Sequence, residues 1–159
     1  MKIICVGRNY ALHAKELKNA IPEEPVIFLK PETALLPKGH PFFYPEFSSD
    51  VHYEVELVLR INRLGKHISE KHAHKYYSEM GIGIDFTARD IQSKLKEKGM
   101  PWEKAKAFDH SAPVSRKLLS ISDLPDPANI SFHLTKNGSI VQQGHSAEML
   151  FSFDQIIAY

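Results

Sequence analysis

Three carboxylates in this 159-residue sequence, Glu54, Glu56 and Asp85, have the type and spacing to do chemistry together. Glu54 and Glu56 stand two apart in the run Val51-His-Tyr-Glu-Val-Glu-Leu57, so an extended chain points both to one face, with His52, while Val51, Tyr53, Val55, Leu57 and Leu59 take the other. Asp85 lies in a second alternating run, Ile82, Ile84 and Phe86 opposing Gly81, Gly83 and Asp85, and the two glycines leave room for a ligand beside the aspartate. Three oxygen donors with no cysteine nearby suit a hard cation, Mg²⁺ or Mn²⁺, with positions left for water or substrate. Gathered without a cation, they would raise one another's pKa, so a dication is a physical reason to converge them. The glutamate pair alone more often marks the solvated face of a half-exposed sheet, and it is Asp85 that shifts the balance.

The elements that must carry these residues read as follows. Residues 2–6 form a buried strand around Cys5, whose apolar neighbours make it a core thiol, and a single cysteine excludes an internal disulfide. Asn9 caps a helix running to about Lys18, with Tyr10, Ala14 and Leu17 on one face and His13 and Glu16 on another. A short strand over 26–29 precedes a loop broken by Pro31, Pro37, Pro41 and Pro45, which Phe42, Phe43 and Tyr44 are expected to pin. A strand over 51–61, a helix over 69–79 opened by Ser69 and a strand over 80–86 follow. A helix over 88–98 ends at Gly99, with Pro101 where a helix restarts, and Lys94, Lys96, Glu97 and Lys98 form its solvated face. Asn137-Gly138 joins strands over 130–136 and 139–144 as a hairpin. Ser152 and Gln155 make a capping box for a helix with Ile156 and Ile157 to bury, and the sequence, stopping at Tyr159, is expected to break off within an element.

Composition narrows the function classes. Lysine and arginine total 20 against 19 acidic residues, and no basic, aromatic-rich segment marks a nucleic-acid surface. No signal-like or membrane-length apolar run is present, so a single cytoplasmic domain with no membrane partner is expected. The Gly81, Gly83 pair lacks the third glycine and the following helix of a dinucleotide fingerprint. His72 and His74, two apart on a helix, do not face each other and are given no role. On spacing alone His13 and Glu16 equally describe a solvated helix pair, and Lys106, between Ala105 and Ala107, an ordinary surface lysine.

Five segments in order resemble one known family: Cys5-Val-Gly-Arg-Asn-Tyr10, Phe28-Leu-Lys-Pro31, Tyr53-Glu-Val-Glu-Leu57, Asp85-Phe-Thr-Ala-Arg-Asp90, and Gly99-Met-Pro-Trp102 with Lys106. Together, and over nearly the whole chain, they are similar to the fumarylacetoacetate hydrolase family, in particular its small single-domain acylpyruvate hydrolases and oxaloacetate decarboxylases. The resemblance implies an α+β, mainly β fold, a mixed-sheet β-roll with peripheral helices, assembled as a homodimer. It implies Glu54, Glu56 and Asp85 as metal ligands, His13 and Glu16 as an acid/base dyad, Lys106 as a catalytic group, and Arg89 and Gln92 as substrate contacts. The expected domain is residues 1–159, C-terminally incomplete, because the family continues with further strands and a Thr-Gly-Thr-Pro loop. The expected reaction is hydrolysis or decarboxylation of a small keto acid through a metal-bound pyruvate enolate. An isomerase of unsaturated keto diacids, or a non-catalytic metal-binding fragment, is the alternative.

Overall fold

The structure is a computed structural model and describes residues 1–11 and 21–159. His13 and Glu16, with most of the helix expected to carry them, lie outside the described residues. Those described form β1 (Ile3–Gly7), β2 (Val26–Lys30), β3 (Val51–Ile61), β4 (Tyr77–Ala88), β5 (Leu119–Ser120), β6 (Ser131–Lys136) and β7 (Ser139–His145). The helices among them are α1 (Glu70–Ala73), α2 (Arg89–Glu97), α3 (Glu103–Lys106) and α4 (Phe153–Ala158). β1 pairs with β2, β3 with β4 and β4 with β5, and β6 with β7, the last two pairings antiparallel. The fold class is α+β, mainly β, as expected. Contacts divide the chain into two compact units, through both of which β3 and β4 pass.

The first unit, Met1–Cys5, Phe28–Leu57 and Ile82–Lys117, carries the carboxylates. Its fully buried apolar residues include alanines, Ala34, Ala88 and Ala105, while Lys30, Asp85, Thr87, Gln92, Lys106 and Ser111 are buried with them. Buried polar groups are costly unless bonded, so this interior must be a hydrogen-bonded network. Val55 is buried on the face of β3 opposite Glu54 and Glu56, as its alternation requires. An irregular stretch, not foreseen, runs along β4: Phe86 N donates to Ser111 O, Ile84 N to Pro113 O and Ser115 N to Ile82 O. Pro113 is tolerated because only its carbonyl is used. His110, at φ 63, turns the chain into this stretch and brings Ser111 beneath Lys106.

Three expectations are corrected here. The strand over 2–6 is not buried on both faces, since Ile4 is 60% exposed. Phe43 is exposed, whereas Phe42 stacks on Phe86 with centroids 3.8 Å apart and Phe47 packs edge-on against Phe108. Tyr44 is also exposed, although its hydroxyl accepts from Val51 N at 2.7 Å.

The second unit, Val6–Ile27, Val58–Gly81 and Leu118–Tyr159, is described by itself. The helix that Asn9 is expected to cap lies mostly outside the described residues; among these, Asn9 Oδ1 accepts from Phe151 N at 2.8 Å and its Nδ2 donates to Phe151 O at 3.0 Å, while Tyr10 is held extended in a bridge to Met149. The helix opened by Ser69 is one turn long, its cap lacking a side-chain bond. From Tyr77 the chain returns to extended structure, with Asn62 N donating to Tyr76 O just before it, because aromatic residues favour a pleated surface. The Asn137-Gly138 hairpin and the Ser152/Gln155 capping box form as expected; φ values of 51 and 83 at the turn give type I′ geometry. Gly99 closes α2 at φ 61, with Met100 N donating to Leu95 O in the first unit.

Candidate active site

β3 and β4 deliver the carboxylates and α3 delivers the cation between them. The Lys106 ammonium donates to Glu54 Oε2, Asp85 Oδ2 and Thr87 Oγ1, each at 2.6 Å, so its three hydrogens are all used. Burial alone would lower its pKa, yet Asp85 and Glu54 together outweigh burial and hold it above the ordinary lysine value. Thr87 also donates to Glu54 Oε2 at 2.9 Å. Phe28 and Trp102, from two of the family-like segments, pack 6.0 Å apart, and the Lys106 ammonium lies 5.2 Å from the Phe28 ring.

A second ammonium lies behind the first. Lys30 Nζ is 2.9 Å from Asp85 Oδ1 and donates to Ser111 Oγ at 2.9 Å, Ser111 O at 3.2 Å and, more closely, to Lys106 O. Burial lowers its pKa, and Asp85 opposes the shift. Asp85 therefore bridges two lysines. Its Oδ1 feels the charge of Lys30 but receives no well-directed hydrogen bond from the described residues, which leaves lone pairs for another partner.

Arg89, at the start of α2, reaches Glu54 Oε1 and Gln92 Oε1, both at 2.5 Å, and His52 Nδ1 at 3.4 Å. Gln92 is buried. Glu54 is thus held by Lys106, Thr87 and Arg89 together. Glu56 has no ion pair among the described residues; burial first, then Glu54 and Asp85, push its carboxyl up to about 8, which Lys106 only partly offsets. Burial, with Asp85, raises the Cys5 thiol to about 12, consistent with an inert cysteine.

Of the expected site residues, the structure brings Glu54, Glu56, Asp85, Arg89, Gln92 and Lys106 together; His13 and Glu16 are outside the described residues. No three acidic, histidine or cysteine groups among the described residues stand in range to hold an ion as placed, since Lys106 bridges Glu54 and Asp85. The chemistry of the set nonetheless fits a hard divalent cation: it is all oxygen, and among the described residues Glu56 has no ion pair and Asp85 Oδ1 no hydrogen bond. Sequence reasoning passed over Lys30, Thr87 and Ser111. Lys30 carried a signal, because alternation along β2 puts Val26, Phe28 and Lys30 on one side, an inward place for a lysine. A cavity of about 880 Å³, lined by Met1, Leu29, Phe47 and Phe108 among others, takes no lining from Glu54, Glu56 or Asp85, and the polar cluster, with its convergent ionisable groups, is the better candidate.

Glu56 makes a pH test possible. Its folded pKa of about 8 exceeds the ordinary 4.5, so the folded state holds the proton more tightly. The stability this contributes is complete below about 4.5 and is lost as pH rises to about 8. In chelator, the melting temperature is expected to fall over that window, and Glu56→Gln to flatten the fall. Parallel pH profiles from wild type and variant would show that Glu56 titrates as an ordinary carboxylate.

The family described as fumarylacetoacetate (FAA) hydrolase C-terminal matches residues 2–159. The chain belongs to the fumarylacetoacetate hydrolase family. Among relatives within it, the oxaloacetate tautomerase YcgM of Escherichia coli is 44% identical over 158 residues, 99% of this chain and 72% of that protein. The mitochondrial oxaloacetate tautomerase FAHD1 of Homo sapiens is 40% identical over 99% of this chain and 71% of its own length. A fumarylacetoacetate hydrolase family protein of Yersinia pestis superposes with a TM-score of 0.94 at 40% identity, covering 99% of this chain and 72% of that one. Fumarylpyruvate hydrolase of Pseudomonas aeruginosa, solved with Mn²⁺ and pyruvate, superposes at 0.91 and 34% identity, covering 100% and 70%. Members with such names are enzymes, and this chain shares their fold. Among its described residues no helix is long and apolar enough to cross a membrane.

Proposed function

We propose that this protein converts a small 2-keto acid by forming and protecting its enolate, with Glu54, Glu56 and Asp85 holding Mg²⁺ or Mn²⁺. The observation that carries the reading is the buried Lys106 ammonium bridging Glu54 and Asp85 beside Arg89, a cationic set surrounding oxygen donors. When bound, the cation supplies Lewis-acid stabilisation of charge developing on a keto oxygen. Arg89 takes the substrate carboxylate, and buried Gln92 orients it. Lys106, held protonated, serves as counter-charge to the enolate oxygen in a water-poor setting. Keto–enol exchange on an oxaloacetate-like diacid needs only that a proton leave the enol oxygen on C2 and another reach C3. It is the leading reading because the relatives at 44% and 40% identity are named oxaloacetate tautomerases. Decarboxylation of the keto form would instead break the bond to the distal carboxylate, release carbon dioxide and leave the enolate of pyruvate, which the same groups would stabilise until a proton reaches its carbon.

Acylpyruvate hydrolysis is the second reading, favoured by the fumarylpyruvate hydrolase among the solved relatives. It needs a water at the distal carbonyl, and Glu16 with His13 is the pair assigned to remove its proton. Side-by-side assays with enol-oxaloacetate, keto-oxaloacetate and an acylpyruvate, in Mg²⁺ and in chelator, separate the reactions. Glu16→Ala is expected to keep Mn²⁺ affinity within about threefold while lowering hydrolysis by about 100-fold or more. Undiminished hydrolysis in that variant would remove the dyad.

A further inference from the structure

Each of the three nitrogens of the Arg89 guanidinium has an acceptor: Nη1 donates to Gln92 Oε1, Nη2 to Glu54 Oε1, and Nε to His52 Nδ1 at 3.4 Å. An imidazole nitrogen accepts only when it carries no proton, and His52 Nε2 faces Asp50 Oδ1 at 3.2 Å, so the ring proton belongs on Nε2. Asp50 grips the same arginine a second way, its backbone carbonyl accepting from Arg89 N at 2.8 Å. Residues 50 and 52 thus hold both the backbone and the side chain of Arg89. The His52 and Asp50 side chains are 44% and 53% exposed, and an exposed pair of this kind contributes little to folding. Core packing therefore gives little reason for the arrangement.

Its consequence is geometric. A guanidinium has five N–H groups in a rigid plane. With one hydrogen each given to His52, Gln92 and Glu54, one remains on each terminal nitrogen, and the direction of both is set by the plane that the three acceptors define.

We propose that His52 is a positioning residue for substrate binding: tethered by Asp50 as the Nε2–H tautomer, it accepts from Arg89 Nε and sets the plane in which Arg89 meets the substrate carboxylate. This rests on the reading of Arg89 as the carboxylate contact.

The test is steady-state kinetics on oxaloacetate in Mg²⁺, with calorimetric titration of pyruvate as a binding readout independent of turnover. His52→Leu is expected to raise KM and the pyruvate Kd about tenfold with kcat within about threefold, and His52→Asn, whose side-chain oxygen replaces the Nδ1 acceptor, to recover both within about threefold of wild type. A merely structural histidine would not give a KM effect that the asparagine reverses. Unchanged KM and Kd in His52→Leu, or equal defects in the leucine and asparagine variants, overturns the proposal. Arg89→Met separates the two levels: it is expected to raise KM about 100-fold. If it leaves KM and Kd unchanged, the substrate-contact reading itself fails. If it raises them while His52→Leu is silent, only the positioning role fails.

Discussion

Lys106→Met is expected to destabilise the metal-free protein by about 3 kcal/mol, a fall of roughly 6–12 °C in melting temperature for a chain of this size. The substitution removes three short hydrogen bonds and leaves Glu54 and Asp85 facing each other inside the first unit. Breaking a buried ion pair costs about 3–5 kcal/mol because the remaining charge is left without its partner. The lower end applies here, since Arg89 still holds Glu54 Oε1 and Lys30 still lies against Asp85 Oδ1. A dication offered to the same carboxylates is expected to recover most of the loss, because ligand at about 100 times its Kd stabilises by about 2.7 kcal/mol. Thermal melts in chelator and in Mn²⁺ read this directly. A variant as stable as wild type in chelator, or one that Mn²⁺ does not rescue, would count against the shared role of the two carboxylates.

Glu54→Ala is expected to abolish Mn²⁺ binding at concentrations that saturate the wild type and to lower kcat/KM at least about 1,000-fold. Glu54 is the residue on which the site turns: one oxygen takes Lys106 and Thr87, the other takes Arg89. Its loss removes a cation ligand and at once frees the two basic groups assigned to the substrate. Electron paramagnetic resonance of Mn²⁺ together with oxaloacetate kinetics measures both effects. Activity within tenfold of wild type would mean that Glu54 is only a structural anchor.

The parts of the site legible in the sequence are those set by local periodicity. Alternation from Val51 to Leu57 placed Glu54 and Glu56 on one face opposite buried Val55, and Gly99, Asn137-Gly138 and Ser152 with Gln155 each acted through a few neighbouring residues. What stayed hidden depends on distant residues. Lys30 is explained by acceptors 56, 76 and 81 residues away, and Asn9 takes a partner 142 residues on. Lys106, an ordinary lysine by its neighbours, becomes a buried bridge only because α3 follows Pro101 and Trp102 into the cluster. The strand beginning at Tyr77 replaced a helix because the sheet offered Tyr76 O a donor from Asn62. A divalent cation was suggested by the three carboxylates themselves, whereas the roles of His13 and Glu16 came from the family-like segments, not from spacing.

The most direct test of the account is a crystal structure of the protein grown with Mn²⁺, with the ion located by its anomalous scattering. One peak within about 2–2.3 Å of oxygens from Glu54, Glu56 and Asp85, with Lys106 drawn away from between the first and the last, is the expected result. No peak there, with the Lys106 bridge intact at a saturating Mn²⁺ concentration, would contradict a cation-assisted keto-acid site.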